Sequence, residues 1–172
     1  MEKLYIILLP LVMYSLSSCL KDSPAVDFST VGTIIEILPV NGGGLESFST
    51  AELNFSSDET LDSADIVLNI ASPSPLKKNL TISMEVNDAL RISYNAANQD
   101  QYDAMPDSVF SFPVSSATIA AGQRLDTLKV YFYPSKIDTT KNYMLPVSIT
   151  DAQGETISGN FGSIYFHTNC LS

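Results

Sequence analysis

An all-β fold, an immunoglobulin-like antiparallel sandwich of about seven or eight strands, is predicted by two features of this chain. Apolar and polar residues alternate with period two in segment after segment, and clusters of turn-forming residues separate the segments. A third observation completes the picture: only one stretch, about residues 88–98, switches to helical spacing.

The first nineteen residues precede that fold. Lys3 introduces an apolar run from Leu4 to Tyr14, followed by Leu16-Ser17-Ser18-Cys19. Crossing a bilayer takes about 20 apolar residues. This run is shorter and contains Pro10, so it reads as a secretory signal, 1–18, removed by cleavage. The small residues before Cys19, with Leu16 three positions upstream, form a lipobox. Cys19 then becomes the lipidated N-terminus, where two or more acyl chains anchor firmly at about 0.8 kcal/mol per buried methylene. The plainer alternative is ordinary secretory cleavage with Cys19 a bystander.

Residues 19–29 read as a lipidated N-terminus and short polar tether, 30–168 as the sandwich, and 169–172 as a tail. Without its signal the chain keeps 154 residues, one domain's worth, with eight Lys and Arg against eighteen Asp and Glu. Such acidity repels nucleic acid and anionic surfaces, and it also simply keeps a secreted protein soluble. Cys170 is the only other cysteine. An acylated Cys19 therefore leaves no internal disulfide, and the fold rests on its core.

Strand candidates run Gly32–Leu38, Ala51–Phe55, Ile66–Ala71, Leu80–Val86, Val109–Phe112, Leu128–Phe132, Tyr143–Thr150 and Ile164–His167. In the fourth, Leu80, Ile82, Met84 and Val86 face one way and Thr81, Ser83 and Glu85 the other. Turns fall at Asn41-Gly42-Gly43-Gly44, Ser72-Pro73-Ser74-Pro75, Ala121-Gly122-Gln123 and Ala152-Gln153-Gly154. Asn87-Asp88 can cap a helix start, and a short helix over about 88–98 is expected across one end of the sandwich with Leu90 and Tyr94 packed inward. Tyr94 and Tyr102 are expected to pin this insertion to the sheets.

An ordered set of short motifs carries a family resemblance. It comprises Tyr94-Asn95-Ala96-Ala97-Asn98, Tyr102, Pro106, Ile119-Ala120-Ala121-Gly122 and Tyr143-Met144-Leu145-Pro146-Val147. Together they resemble the domain of unknown function 1735, a module of Bacteroidetes surface lipoproteins, over roughly 30–168. The resemblance implies an immunoglobulin-like sandwich, often placed ahead of a glycoside hydrolase family 18 or glycan-binding module. It implies an outer-membrane lipoprotein tied to polysaccharide capture, with transporters or glycosidases as partners. Lys21-Asp22 is similar to a short form of the acidic signal for surface export, the periplasmic face being the alternative.

Catalysis is not expected. The single histidine, His167, falls on the outer face of the last strand, and no Gly-x-Ser-x-Gly turn accompanies it. Zinc needs three or four His, Cys or carboxylate ligands, which this chain does not offer in any recognisable spacing. No cofactor is assigned. Asp58, Asp62 and Asp65 are the calcium candidates, without EF-hand spacing, and acidic loops are mostly just solvated.

Glycan binding requires flat aromatic faces flanked by polar groups. The chain has no tryptophan, the strongest stacking residue, so Tyr131, Tyr133 and Tyr165 are the stacking candidates. The plainer reading has these rings pairing across strands. Ser63, Ser108, Thr127 and Thr139 each follow an aspartate in triplets that look like an O-glycosylation signal of exported Bacteroidetes proteins. The expected function is a non-catalytic outer-membrane lipoprotein, an accessory carbohydrate-binding or scaffold module in polysaccharide capture. A bare structural spacer, a protein-interaction domain and a strand-exchanging fimbrial subunit are the alternatives.

Overall fold

The computed structural model describes residues 32–39, 49–55 and 59–168. The chain divides into two units, Met1–Thr30 and Val31–Ser172, and every described residue belongs to the second. The signal peptide, Cys19, the tether, the 41–44 turn, Asp58 and Cys170 lie outside the described residues.

The described strands are β1 (Ile34–Ile37), β2 (Ser49–Glu52), β3 (Asp62–Ala71), β4 (Leu80–Val86), β5 (Asp103–Ala104) and β6 (Phe110–Ser111). They continue with β7 (Ser116–Ile119), β8 (Leu125–Phe132), β9 (Tyr143–Asp151), β10 (Thr156–Ile157) and β11 (Ser163–Thr168). Helix α1 (Asp88–Asn98) separates β4 from β5, and a 3-10 turn, Pro134–Lys136, separates β8 from β9. One sheet runs β10-β1-β3-β8-β6 and the other β2-β11-β9-β4-β7, with β5 added beside β9. The predicted sandwich is therefore what forms. Most pairings are antiparallel, but β1–β10, β2–β11 and β5–β9 run parallel.

Alternation builds the core. Ile35 and Ile37, Ile66, Leu68 and Ile70, Leu80 and Ile82, Val130 and Phe132, and Ile164 and Phe166 are all buried between the sheets. Each such side chain contributes about 1.5–3 kcal/mol by leaving water. Phe132 of the first sheet meets Phe166 of the second edge-on, centroids 5.6 Å apart, and Phe55 at 5.5 Å. A type I′ turn follows β9 and carries the chain toward β10 of the other sheet. Gln153 and Gly154 both take positive φ, and the Glu155 N–H donates to the Ala152 carbonyl at 3.1 Å.

Strand β9 departs from the one-wet-face rule. Tyr143 through Ile149 are all buried. Tyr143, Leu145, Val147 and Ile149 belong to the core, so Met144, Pro146 and Ser148 are covered from outside. The cover begins with α1. Strand β4 pairs with β9 only as far as Val86 opposite Val147, and β5 takes up the same edge at Tyr143 and Met144. The helix is a detour between two strands sharing one lane, and it lies on the outer face of the sheet, packed against β9. This corrects the expected position across one end: no α1 residue is fully buried, and Leu90 and Tyr94 stay outside the inter-sheet core. The interior is already filled by the two inner faces.

The same detour accommodates Pro146 in a central strand. Its carbonyl accepts the Asn87 N–H at 3.0 Å on the β4 side. A strand residue's N and C=O point the same way, so the missing N–H faces the gap where β4 has just ended.

Candidate functional site

A polar cleft of ≈ 560 Å³ opens where α1 and its following loop approach the β8–β9 connection. Arg91, Asn95, Asp100, Gln101, Tyr102, Asp103, Thr140, Lys141 and Asn142 line it. Its framework begins at Gln99, whose left-handed φ of 59° ends the helix and turns the chain back on itself. Asn95 then holds the backbone of Tyr102 from both sides: Nδ2 donates to the carbonyl at 2.9 Å and Oδ1 accepts from the N–H at 3.1 Å. Arg91 Nη1 donates to that same carbonyl at 2.8 Å.

The two loops join through backbone. The Asp103 N–H donates to the Asn142 carbonyl at 2.8 Å, and the Met105 N–H to the Met144 carbonyl at 3.2 Å. On the far wall, Asp138 accepts from the Thr140 hydroxyl at 2.7 Å and its N–H at 3.0 Å. Those bonds hold the Asp138 carboxyl below the ordinary aspartate range.

Both cations of the cleft are engaged. Arg91 binds Asp88 through Nε and Nη2 at 2.6 and 2.9 Å, one turn back on α1. That hydrogen-bonded fork pulls the Asp88 carboxyl down and the guanidinium up. Lys141 Nζ lies 3.1 Å from Asp103 Oδ2, and the bond raises the ammonium's pKa. Asp100 and Gln101 are exposed at the rim.

Beneath the cleft runs a chain of four rings. Tyr165 of β11 meets Tyr94 of α1 at 5.6 Å, Tyr94 meets Tyr102 edge-on at 6.0 Å, and Tyr102 meets His167 at 5.7 Å. Tyr94 and Tyr102 thus pin the insertion to the sheet as the sequence led us to expect. Burial raises the phenol pKa of both Tyr102 and Tyr165 above the ordinary value. His167 does face outward on β11, yet it is half-covered by this packing rather than freely solvated.

The three stacking candidates do not share a surface. Tyr165 belongs to the outer face of the second sheet, against α1. Tyr131 lies on the outer face of the first, between its register partners Ser63 and Ser111. Tyr133 follows just past β8, its ring capped by Lys136 Nζ at 4.4 Å from the centroid. Of the calcium candidates, Asp62 accepts the Ser63 N–H and Asp65 pairs with Lys129 at 2.5 Å. Among the described residues no three His, Cys, Asp or Glu side chains converge as a metal-holding group. Ser63, Ser108, Thr127 and Thr139 are all exposed.

The sequence pattern gives Tyr102 a pinning role, and nothing in it joins Asp100, Tyr102 or Asp103 to Thr140, Lys141 and Asn142. The cleft depends on the β5–β9 pairing, a two-residue contact that no local pattern announces.

The fold and the detour through α1 define a β-sandwich module. A family described as a "-like, N-terminal domain" matches residues 35–156. The chain belongs to this family of N-terminal domains. No curated protein matches it. Among solved structures, a candidate carbohydrate-binding protein from Bacteroides ovatus is similar, with 14% identity and TM-score 0.60 over 79% of this chain and 36% of that one. A multidomain B. ovatus protein including DUF1735 has 15% identity and TM-score 0.64, over 78% and 44%. The resemblance seen in the sequence is upheld by that shared fold. EndoBT-3987 of Bacteroides thetaiotamicron, solved with a Man5GlcNAc product, has 16% identity and TM-score 0.57, over 72% and 28%. The chain thus spans less than half the length of each of these three.

Proposed function

We propose that this chain is a non-catalytic, glycan-binding accessory module of an outer-membrane lipoprotein system, and that the cleft beside α1 is its binding site. The observation that carries this reading is the lining itself: an aromatic residue, Tyr102, bordered by amide, carboxylate and hydroxyl side chains on two loops. Sugars are recognised by this combination, a ring to cover their C–H face and planar polar groups to take up their hydroxyls. The family of N-terminal domains and the carbohydrate-associated descriptions of structural neighbours support it. Anchoring through lipid on Cys19 would hold the module at the membrane beside transporters or glycosidases. Glycosylation of Ser63, Ser108, Thr127 or Thr139 belongs to the same proposal, and the intact mass of native protein reads it out.

A structural spacer is the second reading, favoured by one feature at the opposite end of the sandwich. There Arg124 Nη1 ties down the Ile70 and Ser72 carbonyls, Asn79 accepts the Ala121 N–H, and Gln153 accepts the Thr81 N–H. That end is built for stiffness. An array of immobilised plant and host polysaccharides, probed with the purified full-length chain, separates the two readings. Retention of at least one glycan supports the module; a uniformly blank array, with the protein folded, supports the spacer.

A further inference from the structure

Resting on that reading of the cleft, we infer that its ligand is a neutral, hydroxyl-rich sugar, and that uronate, sulfate and phosphate groups are excluded. The balance of charge in the cleft sets this selectivity. The cleft lining contains two cations, Arg91 and Lys141, and two carboxylates, Asp100 and Asp103. Arg91 directs Nε and Nη2 at Asp88 and Nη1 at the Tyr102 carbonyl. Lys141 is taken by Asp103. Asp138, bonded to the lining residue Thr140, adds a further negative charge nearby.

An anionic ligand therefore meets no uncommitted cation and faces Asp100 at the rim of a chain whose net charge is −10. Breaking the Lys141–Asp103 pair to receive it would leave the Asp103 carboxylate facing the anion within the cleft, and breaking the Arg91–Asp88 pair would leave Asp88 without its guanidinium. An apolar ligand fares no better, because it would desolvate amides and carboxylates without bonding them. A neutral polyol does neither. Its hydroxyls donate to Asp100 and to the amide oxygens of Gln101 and Asn142, and accept from their N–H groups, while the ring covers Tyr102. Exclusion of anions is selectivity by repulsion rather than by attraction.

The test is affinity electrophoresis and titration calorimetry of the full-length chain against paired neutral and anionic polysaccharides, galactan with polygalacturonate and mannan with a sulfated galactan. Chitosan is the cationic control. Neutral glycans are expected to bind and anionic ones to be excluded at low salt. The double variant Asp100→Ala, Gln101→Ala alters two exposed rim residues and should keep the melting temperature. It is expected to weaken neutral binding about tenfold. Asp103→Asn releases the Lys141 ammonium and should bring in salt-sensitive binding of the anionic member.

Preferential binding of an anionic or cationic glycan by the wild-type chain would overturn the charge argument while leaving glycan binding intact. Neutral binding untouched by the double variant would overturn the site. Absence of binding to every glycan would instead defeat the proposed function itself.

Discussion

The side-chain amide of Asn95 grips the backbone of Tyr102 at both its N–H and its carbonyl, as a neighbouring strand would. Through this pair the last turn of α1 sets the position of the Gln99–Asp103 loop, one wall of the cleft. Asn95→Ala removes both bonds and leaves the Tyr102 N–H without that partner. A loss of about 1–3 kcal/mol is expected. Hydrogen exchange should quicken at Tyr102 while the β3 and β8 amides keep their protection. Unchanged exchange at Tyr102 would mean that Arg91 alone suffices to hold the loop.

The ring contact between Tyr94 and Tyr165 is the fastening between α1 and the sheet. A double-mutant cycle with Tyr94→Leu and Tyr165→Leu should return a coupling of about 0.5–1.5 kcal/mol. Additive single effects would assign the hold on α1 to Asn87 and Arg91 instead.

Alkali should release the same region first. Burial raises the Tyr102 and Tyr165 phenols above the ordinary value of 10.0, so their neutral forms favour the folded state. That contribution is fully present below pH 10 and disappears as pH rises through the raised folded values. Absorbance near 295 nm should show two late-titrating tyrosines, with near-ultraviolet circular dichroism changing in step with them. Tyr165→Phe should remove one late titration; an unchanged profile would contradict the assignment.

The inter-sheet core should be far less forgiving than the cleft. Phe132, fully buried, meets rings from two other segments, and Phe132→Ala is expected to cost about 3–5 kcal/mol. Ile92, largely exposed on α1, should tolerate alanine within about 0.5 kcal/mol. Urea denaturation midpoints measure both.

Strand β4 and helix α1 were legible to the residue because each has a clean period and a sharp boundary at Asn87. Strand β3 begins at Asp62 rather than Ile66, since its first half, Asp62-Ser63-Ala64-Asp65, pairs with β8 despite being polar. Strand β7 was missed. Ala117 and Ile119 do alternate with Thr118, but four residues ending in an alanine-rich turn carry little apolar contrast. The strands β5 and β10 are two residues long and exist only through distant partners, β9 and β1. The cleft was hidden for that same reason. Tyr102 and Asp103 stand about forty positions from Lys141 and Asn142, and the backbone bond from Asp103 to Asn142 is what unites them.

Nuclear magnetic resonance titration of the isotope-labelled chain with a neutral oligosaccharide tests the central claim most directly, because it locates the ligand. Binding at the cleft should shift the amides of Gln99–Asp103 and Thr140–Asn142 together, leaving the outer face of the first sheet still. Shifts centred on Tyr131 and Tyr133 instead, with Tyr102 and Asn142 unmoved, would contradict it.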